Sequence, residues 1–406
     1  MATKTGEVQA ITSSHFVVPV PFRTPCDDFA RILACQGMLR LYALWTRRGT
    51  AGIPAEVTRL FPPLGLLAYI GTCTLPPFYS EAFRFALYPL YDQWALRQLR
   101  PGDCIISSYA YVNSCFAWAR RHGGKTFLDA GNSHPDNFWE IVEEEHRRWH
   151  CRYPPVARFY YERARRTVEH ADYILSPSTY VRDSFLARGF KPEQILDVIY
   201  PVNLSHFTPA SQERPRNRPL TIVNTGSLSL RKGTPYLLEA FRLIRKEVAD
   251  ARLLLTDAVM DSAKPILARY RDLPIEWAPH LSKDKLAERL RSADLFILPS
   301  LEEGLVRTAQ EAMACGLPVI LTPHTGTNDF VTEGVNGTVV PIRDPEAIRD
   351  AALTWWDKIQ KGYRVPAADV QQKVSFERLE GVFIGHLRRL GFLSSDRLID
   401  NQRAGT

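Results

Sequence analysis

Residues 294–322 read DLFILPSLEEGLVRTAQEAMACGLPVILT. The run DLFILPS predicts a strand apolar on both faces, the pattern of a parallel strand covered above and below. A loop containing Gly304 follows. A helix near Arg307 to Cys315 then ends near Gly316, and LPVILT predicts the next strand. Two glutamates, Glu303 and Glu311, stand eight positions apart in this stretch, and a glycine directly follows the first. Strand, loop, helix and strand in that order make the repeating unit of a doubly wound parallel sheet.

The same unit extends in both directions. LTIVNTG, from Leu220 to Gly226, predicts a buried strand. Thr234-Pro235 opens a helix, with Thr as cap and Pro at the first helical position. Leu237, Leu238, Phe241, Ile244 and Val248 recur at helical spacing and give that helix one buried face. ARLLLTD is a further strand, LPIEWAP a weaker one, and Ser282 caps a helix carrying Leu286, Ala287 and Leu290. GTVVPI closes the series. In the first half, DCIISS, KTFLDA and ADYILSPS predict strands, and the glycines of WARRHGG end a helix. The aromatic, proline-rich segment from Ala55 to Leu99 predicts helices and loops layered on that sheet, and no strand is predicted before residue 100. The polar, aperiodic, proline-rich stretch at residues 207–219 reads as a linker. The expected division is a domain at 1–206, the linker, a domain at 220–375, and a final helix at 376–406 that returns to the first domain and ends in a fraying tail.

Length and composition set bounds. A chain of 406 residues exceeds one compact core. At 45% hydrophobic and 23% charged it is globular in composition, and its formal charge of +7 favours anionic partners without choosing among them. Seven cysteines form no Cys-x-x-Cys pair, which speaks against a zinc site or disulfide framework and for a reducing compartment. The first residues lack the apolar core of a signal peptide, and no apolar run approaches the roughly 18 residues of a membrane span. The expectation is a cytoplasmic protein.

Two loops lie where ligands bind in open parallel sheets, beyond the carboxyl ends of the strands. One is GSLSLRKG, Gly226 to Gly233; the other is SLEEG, Ser300 to Gly304. Both lead into helix N-termini, whose free N–H groups and partial positive charge favour phosphate. Arg231 can grip phosphate oxygens in a fork, and Lys232 adds a point charge. Gly304 removes a side chain where backbone would approach a ligand. A carboxylate can accept hydrogen bonds from paired hydroxyls. One acid for a sugar and one for a ribose, with phosphates between, fits a nucleotide sugar. The same two acids would also suit a helix start and its solvated face.

These motifs carry a resemblance. The C-terminal half is similar to the family-4 glycosyltransferases, whose pattern is a Glu, seven residues and a second Glu, then Ala-Met-Ala-x-Gly-x-Pro-Val. Here Glu303, GLVRTAQ and Glu311 precede AMACGLPVI. The likeness continues through GSLSLRKGTPYLLEAF, ADLFILPS and TEGVNGTVVPIRDPEAI, covering nearly all of residues 220 to 350. EHADYILSPSTYVRDSFLARGF and PVNLSHFTP match more loosely, FLDAGNSHP with EEEHRRW resembles one branch, and the first hundred residues match little.

The resemblance implies a GT-B fold: two Rossmann-like doubly wound domains facing a central cleft, the C-terminal one binding a nucleotide sugar such as a UDP- or GDP-sugar and the N-terminal one an acceptor. It implies sugar transfer with retention and no metal or other cofactor, in agreement with the lack of an Asp-x-Asp motif near these loops. Glu303 would contact the sugar hydroxyls and Glu311 the ribose. Lys232 and Arg231 would neutralise the departing diphosphate, and Gly226 and Ser227 would lie in the donor loop. Backbone N–H groups after Gly304, at Leu305 and Val306, would touch the sugar and distal phosphate. His134 would face the sugar. Two positions depart from the family: Ser227 replaces a common Arg, for which Arg231 would compensate, and Val306 replaces a usual glycine. No glycine-rich loop follows a first strand, so the acceptor contacts have no assigned residues. Base choice would depend on backbone near Pro279 and His280.

Weaker signals read two ways. His134 and Asp129 suit a backbone cap or the site. RFYYERARR suits a solvated helix face or an anionic bilayer. LFPPLGLLAYIG suits core, or an interfacial patch admitting a lipid-linked acceptor. Asn203 and Asn336 open sequons without a secretion signal. The rival functions are another GT-B enzyme, such as an epimerase or phosphorylase, and an inactive nucleotide-sugar-binding scaffold. Charge alone suggests nucleic acid, and no stacking or helix-turn-helix signature supports it.

Overall fold

Strands in the computed structural model pair in parallel throughout. The structure describes residues 15–46, 50, 52–75, 77–151, 155–210, 218–278 and 281–393. The N-terminal segment, most of the expected linker (211–217), Pro279 with His280, and the polar tail from 394 lie outside the described residues. By its contacts the chain forms two compact units. One comprises the chain up to Asp129, Glu162–Leu175 and Glu380 onward; the other comprises Ala130–Tyr161 and Ser176–Leu379. Residues 130–161 and 176–206 thus cluster with the C-terminal sheet, so this division runs elsewhere than residues 207–219.

In the first unit the strands are β1 (Phe16–Pro19), β2 (Leu39–Leu44), β3 (Thr58–Leu60), β4 (Cys104–Ser108), β5 (Thr126–Asp129) and β6 (Tyr173–Ser176), ordered β3-β2-β1-β4-β5-β6. β4, β5 and β6 coincide with DCIISS, KTFLDA and ADYILSPS. β1, β2 and β3 lie in the region where sequence predicted no strand. β1 spans four residues closed by a proline, and β2 carries Arg40, whose guanidinium is paired with the buried Asp103. A charged residue inside a short apolar run hides its period. Helices Pro62–Thr74 and Pro77–Leu96 fill most of the aromatic segment, as expected. Phe383 of the helix Phe376–Arg389 lies 4.9 Å from Phe29, and Phe392 lies 5.7 Å from Phe16.

The second unit holds β7 (Ile195–Asp197) and a six-stranded sheet. Its strands are β8 (Thr221–Thr225), β9 (Arg252–Thr256), β10 (Ile275–Ala278), β11 (Leu295–Leu298), β12 (Val319–Leu321) and β13 (Gly337–Val339), ordered β10-β9-β8-β11-β12-β13. All four residues of β11 are buried, as its two-faced apolarity requires. Fully burying such side chains stabilises by about 1.5–3 kcal/mol each. Asp294 fixes the entry to β11: Arg218 holds its carboxylate, which also accepts from the Thr221 N–H at 2.9 Å. β8 and β11 are neighbours, with Leu295 opposite Ile222 and Phe296 opposite Val223. Their carboxyl-end loops therefore emerge side by side, joined by Leu301 N–H donating to the Arg231 carbonyl at 2.8 Å. Helix Thr234–Glu247 buries Leu237, Leu238, Phe241 and Ile244 on the face its sequence marked. Among the described residues no helix is long and apolar enough to cross a membrane.

Candidate functional site

The loop after β8 brings two cations inward. Gly226 adopts φ +115°, and a Cβ there would stand 3.2 Å from the Lys232 Nζ. Gly233 has φ +68° and precedes the helix Thr234–Glu247. A Cβ on it would lie 1.9 Å from the Pro299 carbonyl oxygen, so only glycine fits. Ser227 is half-buried in the same loop. Within this frame Lys232 Nζ lies 2.5 Å from Glu303 Oε1, and Arg231 Nη1 lies 3.0 Å from the same oxygen. Burial raises the Glu303 carboxyl, but Arg231 and Lys232 outweigh that and hold it below the ordinary carboxylate range. The structure thus brings three of the expected catalytic side chains together.

A fourth residue completes the cluster, and sequence reasoning passed over it. Glu302 is fully buried. One of its oxygens accepts from both the Ser133 N–H and the Ser133 hydroxyl at 3.0 Å. The other accepts from Arg231 Nη1 at 3.2 Å, and Arg231 also donates to the Glu302 carbonyl at 2.7 Å. Burial pushes the Glu302 carboxyl up, opposed by Arg231. The Arg231 guanidinium also lies 5.8 Å over the Phe138 ring. Arg231 is consequently clamped between two carboxylates. The only available signal was the doubled acid in SLEEG, of which the motif claimed Glu303 alone.

Glu311 stands apart from this cluster, on the helix Arg307–Ala314. Lys283 Nζ lies 2.5 Å from its Oε1, while its Oε2 is buried with no hydrogen-bond partner. Burial raises its carboxyl, and Lys283 opposes the rise. An orphaned buried carboxylate oxygen is costly unless a ligand hydroxyl or water satisfies it.

The Gly304 loop is tight against the chain's own backbone. A Cβ at Gly304 would lie 2.3 Å from the Gly131 carbonyl oxygen, and Ser178 Oγ donates to the Gly304 carbonyl at 2.6 Å. The close approach seen is by the chain's own backbone. Leu305 and Val306 are buried, and the Val306 N–H donates to Thr327 Oγ1 at 2.8 Å, which takes that group from the donors facing a phosphate. His134 caps the helix Pro135–Arg148, its Nδ1 accepting from the Asp136 N–H at 3.2 Å, with its ring 5.1 Å from Phe185. Asp129 lies in the first unit, where its Oδ2 accepts from Cys26 Sγ at 3.3 Å.

The comparisons agree with this architecture. Residues 219–358 match the family described as glycosyl transferases group 1. The chain is 31% identical over 257 residues to the GDP-mannose-dependent alpha-(1-6)-phosphatidylinositol monomannoside mannosyltransferase of Mycolicibacterium smegmatis, covering 57% of this chain and 61% of that one. It is 29% identical over 180 residues to a D-inositol 3-phosphate glycosyltransferase of Paenarthrobacter aurescens, covering 41% of this chain and 44% of that one. The first curated relatives are matched over only 41–44% of their own length. Among solved structures, Anabaena HepE in complex with UDP and glucose superposes with a TM-score of 0.61 at 14% identity, over 92% of this chain and 99% of HepE. The fold is GT-B, two parallel-sheet Rossmann-like α/β domains.

Proposed function

We propose that the protein is a retaining, metal-independent family-4 glycosyltransferase that moves a sugar from a nucleotide-sugar donor to a hydroxyl acceptor. The observation that carries this reading is the pairing of Lys232 and Arg231 with Glu303 at the carboxyl ends of two adjacent strands. In the structure the cations satisfy the carboxylate. When donor binds, the diphosphate takes the cations and the sugar hydroxyls take Glu303. Glu311 Oε2, without a partner, suits a ribose hydroxyl. The bond between the anomeric carbon and the phosphate oxygen breaks as the acceptor oxygen bonds on the same face. The acceptor proton passes to the departing diphosphate, whose growing charge Lys232 and Arg231 stabilise. His134, which caps its helix, would present the rest of its ring to the sugar.

The acceptor is proposed to be a carbohydrate or a lipid-linked sugar, in polysaccharide, lipopolysaccharide or glycolipid assembly. Helix Pro62–Thr74 supports a lipid-linked one. Leu66, Tyr69 and Ile70 are 59%, 64% and 46% exposed, and no charged residue occurs from Phe61 to Ser80. Such a surface suits peripheral contact at the cytoplasmic face of an anionic membrane. Co-sedimentation with anionic vesicles, lost in Leu66→Glu/Ile70→Glu, is the expected result. Binding that the double variant leaves intact takes helix Pro62–Thr74 out of the membrane contact, and wild type that does not co-sediment removes the membrane role.

The donor assignment is tested by thermal shift against UDP, GDP, ADP and CMP, alone and as sugar nucleotides. A bound ligand raises the midpoint through RT ln(1 + [L]/Kd). One nucleotide series should raise it, and Glu311→Ala should abolish the rise. If no nucleotide raises it, the pocket is not a donor site.

A further inference from the structure

A second pocket lies in the same unit, and the proposed reaction does not use it. It is open, about 410 Å³, and lined by Arg148, Trp149, His150, Tyr236 and Arg269. That volume falls in the range of small-molecule sites, about 300–1,000 Å³.

The aromatic walls are held by a buried acid. Trp149 Nε1–H donates to Glu145 Oε1 at 2.8 Å, and the Tyr236 hydroxyl donates to the same oxygen at 2.6 Å. Arg343 Nε donates to the other oxygen at 2.7 Å. Glu145 is thereby saturated, and it fixes both rings. Their polar atoms are engaged and Tyr236 is buried, so the ring surface offered to a ligand is that of the half-buried Trp149.

The cations are less engaged. Among the described residues no carboxylate lies within 4.0 Å of the Arg269 guanidinium, which sits 5.6 Å over the Trp149 ring. Arg148 lies 3.9 Å from Glu144, an exposed pairing that contributes little. Glu144 is also bound at 3.2 Å by Arg343. His150 adopts φ +52°, a left-handed conformation that is strained for a non-glycine residue. The chain holds that strain at the one position that adds an imidazole to the pocket.

Forked cations beside a fixed indole face suit one ligand chemistry. The guanidiniums grip phosphate oxygens, and the indole stacks on a ring. We propose that this pocket binds a phosphate monoester carried on a ring, a hexose phosphate or a nucleoside monophosphate, independently of the donor site.

Isothermal titration calorimetry of the full chain tests this with glucose 6-phosphate, AMP, inorganic phosphate and glucose. One ester should bind wild type, weaken at least tenfold in Arg269→Ala, and bind Glu311→Ala unchanged. The tighter of the two esters names the ring. Arg269→Lys, which keeps the charge and loses the fork, should fall between, and its unfolding midpoint checks that the variants fold. Absence of ester binding overturns the site, as does equal binding by Arg269→Ala. Loss in Glu311→Ala instead places the ester in the donor pocket. Inorganic phosphate binding as tightly as the esters overturns the ring contact.

Discussion

Ser133 reaches Glu302 twice: its backbone N–H and its hydroxyl both donate to one carboxylate oxygen at 3.0 Å. The opposite oxygen holds Arg231. Through this acid the segment GNSHP is tied to the loop that presents both cations. Glu302 positions Arg231 and need not touch substrate.

Glu302→Gln keeps the volume and one acceptor but turns an amide toward the guanidinium. Breaking a buried pair costs about 3–5 kcal/mol, because the remaining charge is left uncompensated. Glu303 still pairs with Arg231, so a loss near the lower end is expected, read from the urea midpoint. Donor KM should rise more than kcat falls, since Arg231 loses its orientation. An unchanged urea midpoint would show that Ser133 and Arg231 do not depend on Glu302.

Much of the second unit was legible because its residues repeat two clear periods. The run LFILP forms the two-faced strand its apolarity suggested, and Thr234-Pro235 marked its helix start to within one residue: Gly233, not Thr234, is the cap, and Thr234 is the first helical residue. Glu303, Lys232 and Arg231 were found because they lie in loops at the carboxyl ends of parallel strands, where ligands bind, and because the family resemblance falls on those loops. Glu302 was missed because its partner, Ser133, lies 169 positions away. Nothing local distinguishes a buried acid from an exposed neighbour. β1 and β2 were hidden for a local reason: β1 is four residues closed by a proline, and Arg40 interrupts the apolar run of β2. The tightness at Gly304 was legible; its cause, the Gly131 backbone, was not.

That cause gives a test that needs no ligand. Gly304→Ala places a Cβ 2.3 Å from the Gly131 carbonyl oxygen, a contact that backbone must move to relieve. Overpacking of this kind costs about 1–3 kcal/mol. The unliganded variant should melt at a lower temperature than wild type. If glycine served only to admit a ligand, the apo midpoint would stay where it is and only nucleotide binding would suffer.

In the first unit, Asp27 is buried and accepts from the Tyr42 hydroxyl at 2.6 Å. Burial pushes its carboxyl from 3.8 up to about 6, with the Tyr42 bond opposing. A folded value above the unfolded one means that the folded state holds the proton more tightly. Its stabilising effect is fully present below pH 3.8 and is lost as pH rises through about 6. At 1.36 kcal/mol per pH unit the swing is about 3 kcal/mol. Asp27→Asn cannot titrate and retains an acceptor for Tyr42. The variant should therefore gain on wild type by roughly that amount between pH 4 and pH 7, measured by urea unfolding across the range. A gap that does not change with pH would mean that Asp27 keeps an ordinary acidity.

Lys232 carries the sharpest prediction about chemistry. Its ammonium is held by Glu303 at 2.5 Å and by a loop that two glycines shape, so it is fixed before any donor arrives. A pre-placed charge stabilises a transition state without reorganising, and removing one such group lowers kcat by about 10²–10³-fold. Lys232→Ala should show that loss, with donor KM changing far less, because Arg231 still offers a cation to the diphosphate. Glu303 loses a partner in this variant, so its carboxyl should titrate at a higher pH than in wild type. The acid limb of the rate profile should move up accordingly. A Lys232→Ala enzyme with wild-type kcat and an unmoved acid limb would take Lys232 out of the reaction and leave Arg231 as its cation.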